Sequence, residues 1–123
     1  MKPEMSAPSA ASTVEFSGGA QRCDRKPPYF LVPRELLEAV AWTRLEGDRK
    51  YAPGNWMLGD TEFFVDALSH AIQHLMDAPW DAAEDFDTHL GHAACNIAFI
   101  LWAKRRGIVS REDFRQAARF HLK

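Results

Sequence analysis

The chain has 123 residues, 46% of them hydrophobic and 26% charged, which is typical of one folded domain with a single core. Its net charge of −2 excludes the strongly basic surface that attracts nucleic acid or anionic membranes, so neither partner is expected. No apolar run approaches the about 20 residues of a membrane span, and the N-terminus lacks the apolar stretch of a secretory signal, so we expect a cytoplasmic protein. The two cysteines, Cys23 and Cys95, form neither a disulfide framework nor a zinc pattern and are expected to be reduced.

The N-terminal quarter of the chain lacks helical periodicity. Residues 1–13 are rich in Ser, Ala and Pro, which predicts a disordered tail. In residues 14–32, paired glycines and paired prolines exclude a regular helix. This arm is expected either to lie extended over the domain or to be a solvated leader. Residues 33–123 are expected to form one helical bundle, and the arm and bundle together make up a single domain from residue 14.

The first predicted helix begins at Pro33 and ends at Gly47 or, less regularly, near Tyr51. A turn-rich loop follows and carries Asn55 and Trp56. Trp56 is expected either to bind a ligand or to fold back onto the core. The residues expected on the apolar face of this helix are Leu36, Leu37, Val40, Ala41 and Leu45.

The second predicted helix has the clearest amphipathic pattern. Asp60 or Thr61 caps it, and apolar residues repeat at intervals of three and four from Phe63 to Met76. A polar stripe flanks this face, and such a stripe is usually solvated. His70 borders the apolar face, however, so it is also placed to turn inward toward the third helix. The stripe consists of Asp66, His70, Gln73 or His74, and Asp77.

The third predicted helix, residues 84–102, is apolar on every side and is therefore expected at the centre of the fold. Three polar residues share one side of its N-terminal part, at i, i+3 and i+7. They are His89, His92 and Asn96. Buried polar groups need partners, and nearby carboxylates can supply them directly or through a shared divalent cation. These carboxylates are Glu84, Asp85 and Asp87.

The last elements are bounded by local signals. Basic residues 104–106 and then Gly107 predict the end of the third helix. Ser110 and Asp113 resemble a capping box that begins a short fourth helix. No segment alternates with a period of two, so the predicted fold class is all-α, a small bundle of about four helices.

Five motifs occur in succession: EFSGGAQR from Glu15, KPPYFLVPRELL from Lys26, GDRKYAPGNW from Gly47, DALSH from Asp66 and HLGHAACN from His89. In order and spacing they resemble the dATP/dGTP diphosphohydrolase N-terminal domain family, a group of mostly bacteriophage proteins. The resemblance covers roughly residues 14–103. It implies a MazG-like, all-α pyrophosphohydrolase that uses a divalent metal to cleave a purine deoxynucleoside triphosphate to the monophosphate and pyrophosphate. For a phage-encoded protein this implies the cytoplasm of the bacterial host.

One motif departs from the wider MazG superfamily. MazG-type enzymes are similar in carrying carboxylate pairs that hold Mg²⁺, whereas here H-L-G-H, from His89 to His92, stands where such a protein would read E-L-G-D. Imidazole suits Mn²⁺, Fe²⁺, Co²⁺ or Zn²⁺ better than Mg²⁺. Either the metal differs, or the histidines bind phosphate or transfer protons while carboxylates hold the metal.

The resulting site prediction has three parts. The residues expected to be catalytic are His89, His92 and His70. The residues expected to hold Mg²⁺ or Mn²⁺ are Asp85, Asp87, Glu84 and Asp66. The residues expected to bind the nucleotide are Trp56, Asn55, Tyr51, Lys50, Arg49 and Asn96, with Arg22 or Lys26 if the arm folds over. An aromatic side chain would stack on the base, an amide would read its edge, and the basic residues would contact phosphate.

Two other functions fit parts of this pattern. A non-catalytic helical adaptor or regulator would use the His/Asn stripe as a structural hydrogen-bond network. A histidine-aspartate phosphohydrolase is also all-α, but its adjacent His-Asp pair is absent from this sequence. The broad apolar face of the second helix exceeds what so small a bundle buries, so a homo-oligomer is expected.

Overall fold

A computed structural model of the chain describes residues 13–23 and 27–121, without the side chains of Cys23, Phe120 and His121. The tail predicted to be disordered, apart from Thr13, and Lys26 lie outside the described residues. The chain divides into two compact units, Met1–Pro33 and Arg34–Lys123.

The N-terminal unit contains a short antiparallel hairpin. Strands β1 (Thr13–Glu15) and β2 (Gln21–Cys23) pair with Thr13 opposite Cys23. Gly19 lies in the connecting turn with a φ of 92°, a conformation that favours glycine. The sequence did not predict these strands, because three residues are too few for an alternating pattern to stand out. A 3₁₀ turn, Tyr29–Leu31, follows.

The second unit is helical, and the predicted all-α class is confirmed. Its helices are α1 (Arg34–Lys50), α2 (Thr61–Asp77), α3 (Phe86–Arg105) and α4 (Arg111–His121), with a 3₁₀ turn at Asn55–Leu58. Helix α3 packs against both α1 and α2, as expected of the central helix, and α4 packs on α2. None of the described helices has the length and apolarity needed to cross a membrane.

Helices α2 and α3 are antiparallel. Near their connecting loop the rings of His74 and His89 lie 5.2 Å apart, and at the opposite end the rings of Phe64 and Trp102 lie 6.0 Å apart. Phe64 is fully buried in the apolar cluster at that opposite end. The antiparallel pair of α2 and α3 therefore has an apolar core at one end and histidines at the other.

Three predicted helix ends are confirmed: the start of α2, the end of α3 and the start of α4. The Phe63 backbone N–H donates to Asp60 Oδ1 at 2.9 Å, which caps α2. At the end of α3, Gly107 has a φ of 73° and the Ile108 N–H donates to the Ala103 carbonyl at 3.0 Å, which forms a Schellman motif. Ser110 and Asp113 cap each other reciprocally at the start of α4.

Of the five residues on the predicted apolar face of α1, Val40 alone is half-buried and the others are exposed. Leu37 is 58% exposed, and Leu36 and Leu45 are also exposed. The face that contacts α3 contains small residues instead: a Cβ added at Gly91 would lie 2.8 Å from Thr43 Oγ1 and 3.0 Å from the Ala39 carbonyl oxygen. The two helices approach so closely that residue size, and not hydrophobicity, selects the contact face.

The predicted core face of α2 is confirmed only in part. Its buried residues are Phe64, Ala67 and Ala71. Leu68, on the same predicted face, is 38% exposed. Four further apolar residues of that face are exposed, namely Phe63, Ile72, Leu75 and Met76. Among the described residues, α3 covers one strip of α2 and α4 contacts another, and these side chains remain exposed.

Candidate functional site

Three histidines and two carboxylates converge where α3 begins. His89 is only 3% exposed, and both of its ring nitrogens have partners. Its Nε2 atom lies 2.8 Å from Asp81 Oδ2, and its Nδ1 atom lies 3.0 Å from His74 Nδ1. His89 therefore joins the α2–α3 loop to the last turns of α2.

Glu84 and His92 complete this imidazole cluster. The two Glu84 carboxylate oxygens lie 3.6 Å from His89 Nε2 and 3.7 Å from His92 Nε2. The His92 ring stacks on the His74 ring, with centroids 4.7 Å apart and planes inclined by 18°. We refer below to His74, Asp81, Glu84, His89 and His92 as the imidazole cluster.

Local hydrogen bonds fix the loop that carries the carboxylates. The Ala83 N–H donates to Asp81 Oδ1 at 2.9 Å, and the Thr88 N–H donates to Asp85 Oδ1 at 2.7 Å. The second bond is the N-cap of α3. Because Asp81 and Asp85 are both tied to backbone, the Glu84 between them is directed toward the histidines.

The environment of the cluster shifts several pKa values. Burial lowers the pKa of His74, and the neighbouring His92 and His89 lower it further when charged, while Glu84 opposes the change. The Ala83 N–H and then the His89 ring lower the pKa of Asp81. Hydrogen bonds from Thr88 lower the pKa of Asp85. The cluster thus favours an ionised Asp81 and a neutral His74.

The contacts also define the tautomers. An ionised carboxylate only accepts, so His89 Nε2 carries the hydrogen that is donated to Asp81. In a neutral His89 ring Nδ1 is then an acceptor, and His74 Nδ1–H is the donor to it. If the His74 hydrogen moves to Nε2, two unprotonated Nδ1 atoms face each other. Such a pair is a potential ligand pair for a cation.

The residues fit a transition-metal ion. One donor atom from each of His74, Glu84 and His89 lies within 4.8 Å of the others. Metal–nitrogen bonds of about 2.1 Å put two nitrogens about 3.0 Å apart at an octahedral right angle and about 3.4 Å apart at a tetrahedral angle, and the two Nδ1 atoms are separated by 3.0 Å. Two imidazoles with one carboxylate suit Mn²⁺, Fe²⁺ or Zn²⁺ better than Mg²⁺.

A cleft of about 530 Å³ begins at the imidazole cluster. It runs between α1, the loop after α1, α2 and α3, and both His74 and His92 line it. Its volume is in the range of small-molecule sites. At its other end Trp56 stacks on Phe99, with ring centroids 4.3 Å apart and planes inclined by 16°.

The structure brings most of the predicted nucleotide-binding residues together around this cleft. Those that line it are Lys50, Tyr51, Asn55, Trp56 and Asn96. Arg49 does not line the cleft, and Arg22 belongs to the N-terminal unit. The Trp56 ring also packs edge-on against Trp102 at 4.7 Å, and its Nε1 is buried with no hydrogen-bond partner among the described residues. Whether these residues bind a nucleotide stays a prediction.

The predicted catalytic and metal residues are more dispersed. His89, His92 and Glu84 belong to the imidazole cluster. His70 lines the cleft one turn before His74 and pairs with Asp66 at 3.0 Å, with both side chains more than half exposed. Asp85 caps α3, and Asp87 lies exposed in its first turn. The assignment of Asp66, Glu84, Asp85 and Asp87 as metal ligands stays a prediction.

Sequence reasoning missed three residues of this region. His74 appeared only as an alternative to Gln73 on a polar stripe, and the one-turn spacing from His70 was the available signal. Asp81 lies in a loop, where no periodicity indicates direction. Arg44 lies on α1, with its guanidinium carbon 5.2 Å from the Trp56 ring centroid, on a helix whose contact face was predicted wrongly.

Comparison with known families finds a match to the family described as dATP/dGTP diphosphohydrolase, N-terminal, over residues 17–113. The matched range includes the entire cleft and the imidazole cluster. No curated protein and no solved structure matches the chain.

Proposed function

The chain belongs to the dATP/dGTP diphosphohydrolase N-terminal family, and from that premise we propose that it is a metal-dependent nucleotide pyrophosphohydrolase. It acts on purine deoxynucleoside triphosphates and releases the monophosphate and pyrophosphate. The observation that carries this proposal is the position of the imidazole cluster at one end of a cleft of about 530 Å³, which is large enough for a nucleotide.

The reaction needs a place for the phosphates and a proton acceptor. Water adds to the α-phosphorus, the bond from that phosphorus to the oxygen bridging to the β-phosphate breaks, and pyrophosphate leaves with the bonding electrons. The proton of the water passes to His92 Nε2, and Glu84, 3.7 Å away, stabilises the resulting imidazolium. His92 suits this role because it lines the cleft, whereas His89 is buried behind it.

His74, Glu84 and His89 would hold the divalent cation. A bound cation supplies neutralisation of the charge on the phosphate oxygens. Asp81 orients His89 through the 2.8 Å contact, in the manner of carboxylates that support metal-bound histidines. Because two of the three donors are imidazoles, we expect Mn²⁺ to support turnover better than Mg²⁺.

A structural hydrogen-bond network is the alternative. Both ring nitrogens of His89 already have protein partners, which is what a helical adaptor would need to keep a buried histidine satisfied. In that case divalent ions leave the melting temperature unchanged. A metal site instead stabilises the folded protein in proportion to its occupancy.

Incubation with each ribonucleoside and deoxynucleoside triphosphate, in Mn²⁺ or Mg²⁺, tests the proposal. Chromatography separates monophosphate and pyrophosphate from diphosphate and phosphate. Release of pyrophosphate from dATP or dGTP, lost in His92→Gln, is the expected result. If no triphosphate is hydrolysed with either ion and neither ion changes the melting temperature, the enzyme proposal is contradicted and the structural network of an adaptor is favoured.

We also propose that the protein self-associates through the exposed apolar part of α2. Leu75 is 48% exposed and Met76 66% exposed, on a helix that carries two more exposed aliphatic residues. Exposed apolar patches of this kind often mark interfaces between subunits. Light scattering after size exclusion should give a multiple of 13.9 kDa for the natural protein and a smaller mass for Leu75→Glu. A monomeric natural protein would rule this out.

A further inference from the structure

The two ends of the cleft differ in chemistry. His92 lies at the imidazole end, and Phe99 lies seven residues later on α3, about 10 Å farther along the helix axis. The far end is walled by the stacked Trp56 and Phe99 rings. If the phosphates lie beside the imidazole cluster, as the proposed function requires, the base lies toward the aromatic end.

Arg44 enters the aromatic end from α1. Its guanidinium carbon is 5.2 Å from the Trp56 ring centroid and 5.5 Å from that of Phe99. A group above the outer face of either ring would be much farther from the other ring, so the guanidinium lies beside the stack. Its positive charge also opposes the effect of burial on the pKa of Cys95, another residue that lines the cleft.

Most hydrogen-bonding capacity of Arg44 is unused. A guanidinium has five N–H donors, and within the described part of the chain its one polar partner is Asp48 Oδ1, at a long 3.4 Å. The side chain is 29% exposed. The planar head is therefore partly buried, held at an aromatic wall, and still able to donate two parallel hydrogen bonds.

The two parallel N–H donors of the Arg44 guanidinium match best with a pair of acceptors on one planar edge. Guanine presents O6 and N7 side by side, and arginine is the side chain that most often binds them together. Adenine presents an amino donor in place of O6, so one of the two bonds is replaced by a contact between donors. We propose that Arg44 reads the edge of the purine and makes the site prefer guanine over adenine. This inference rests on the proposed function.

Equilibrium binding of dGMP and dAMP, without metal and without turnover, tests the inference. The natural protein should bind dGMP about 5- to 150-fold more tightly, the discrimination typical of one bidentate contact. Arg44→Lys loses the fork and should lose most of the preference. Arg44→Gln should favour dAMP, because a glutamine amide pairs with adenine N6 and N7.

Two controls make the test independent of folding. Arg34→Gln removes the same charge from the same helix at a side chain that is 84% exposed, and it should keep the guanine preference. 7-Deaza-dGMP lacks the N7 acceptor, so the natural protein should bind it more weakly than dGMP. This second control holds even if both Arg44 variants fail to fold.

The outcomes separate this inference from the proposed function. Equal weakening of dGMP, dAMP and inorganic pyrophosphate in Arg44→Gln would show a phosphate contact and overturn the assignment to the base. Equal binding of dGMP and 7-deaza-dGMP by the natural protein would also overturn it. A guanine preference that depends on Arg44 in a protein without hydrolase activity would support the base site and refute the enzyme.

Discussion

The Nδ1 atoms of His74 and His89 lie 3.0 Å apart, one on α2 and the other on α3. This contact makes the candidate metal site depend on the register of the two helices, because a shift of one residue in either helix would turn an imidazole away. It also separates two kinds of histidine in the cluster. His89 is buried and interlinked, whereas His92 is partly exposed on the cleft.

The first prediction uses that difference. His89→Gln should lower the melting temperature by several degrees and abolish stabilisation by Mn²⁺, because it removes a buried ring and a metal donor. His92→Gln should lower kcat by about 10²- to 10⁴-fold, the usual contribution of a general base, with little change in melting temperature. Thermal melts and steady-state kinetics on both variants measure the two effects. Equal effects of the two substitutions on stability and turnover would contradict the division of roles.

Asp81 is predicted to act through His89. Asp81→Asn should weaken Mn²⁺ binding by about 10- to 100-fold, as substitution of carboxylates behind metal-bound histidines does. Mn²⁺ titration followed by the melting temperature measures this change. Asp77→Asn is the matched control, since that carboxylate bonds Gln73 outside the cluster. An unchanged affinity in Asp81→Asn would show that the 2.8 Å contact has no role in metal binding.

The free energy of unfolding of the metal-free protein should fall as the pH drops below the ordinary histidine pKa of 6.5. His74 has a pKa below its ordinary value of 6.5, because of burial first and the charges of His92 and His89 next. The unfolded chain then binds more protons than the folded one, so stability is present above pH 6.5 and is lost as the pH falls through the lowered pKa. Asp81 and Asp85 act with the same sign at lower pH.

Melts in EDTA at several pH values measure this dependence. His74→Gln should flatten the change below pH 6.5. His70→Gln is the comparison: His70 is the smallest of the causes that lower the His74 pKa, and its side chain is 61% exposed beside Asp66, so most of the slope should remain. The same slope in the natural protein and in His74→Gln would contradict the assignment to His74.

The signals that predicted the fold correctly were local ones. Helix caps form hydrogen bonds with backbone groups a few residues away, so they can be predicted from the sequence. The examples here are Asp60, Gly107 and the Ser110–Asp113 pair. Packing between helices is not local. Nothing in the sequence of α1 indicates that Thr43 and Ala39 lie against Gly91. For the same reason the choice between Gln73 and His74 stayed open until the register of α2 against α3 was known.

The close approach at Gly91 gives a stability prediction. Gly91→Ala should cost about 1–3 kcal/mol, the usual cost of overpacking, because its Cβ would lie 3.0 Å from a backbone oxygen that cannot rotate away. Gly47→Ala, on α1 with open space around its Cβ, should instead stabilise by about 0.4–1 kcal/mol. Chemical denaturation measures both changes, and a loss of stability in Gly47→Ala as large as that in Gly91→Ala would contradict the role given to the close contact at Gly91.

The last prediction concerns Trp56, for which the sequence allowed either a base platform or a core anchor. Its stacking on Phe99 and edge contact with Trp102 tie it to the apolar cluster, so Trp56→Ala should cost about 3–5 kcal/mol of stability, as large core truncations do. Trp56→Phe keeps an aromatic ring on Phe99 and removes the buried Nε1–H, for which the described part of the chain offers no partner, so its cost should be much smaller.

Trp56→Phe is expected to be more stable than Trp56→Ala, so kinetics on this variant test whether Trp56 also stacks on the base. A smaller ring offers a base less stacking surface, and stacking is present before and during the reaction. KM should therefore rise while kcat stays nearly constant, the pattern of lost ground-state binding. An unchanged KM, together with the stability loss in Trp56→Ala, would make Trp56 a core anchor alone and would leave the Arg44 guanidinium as the contact that places the base.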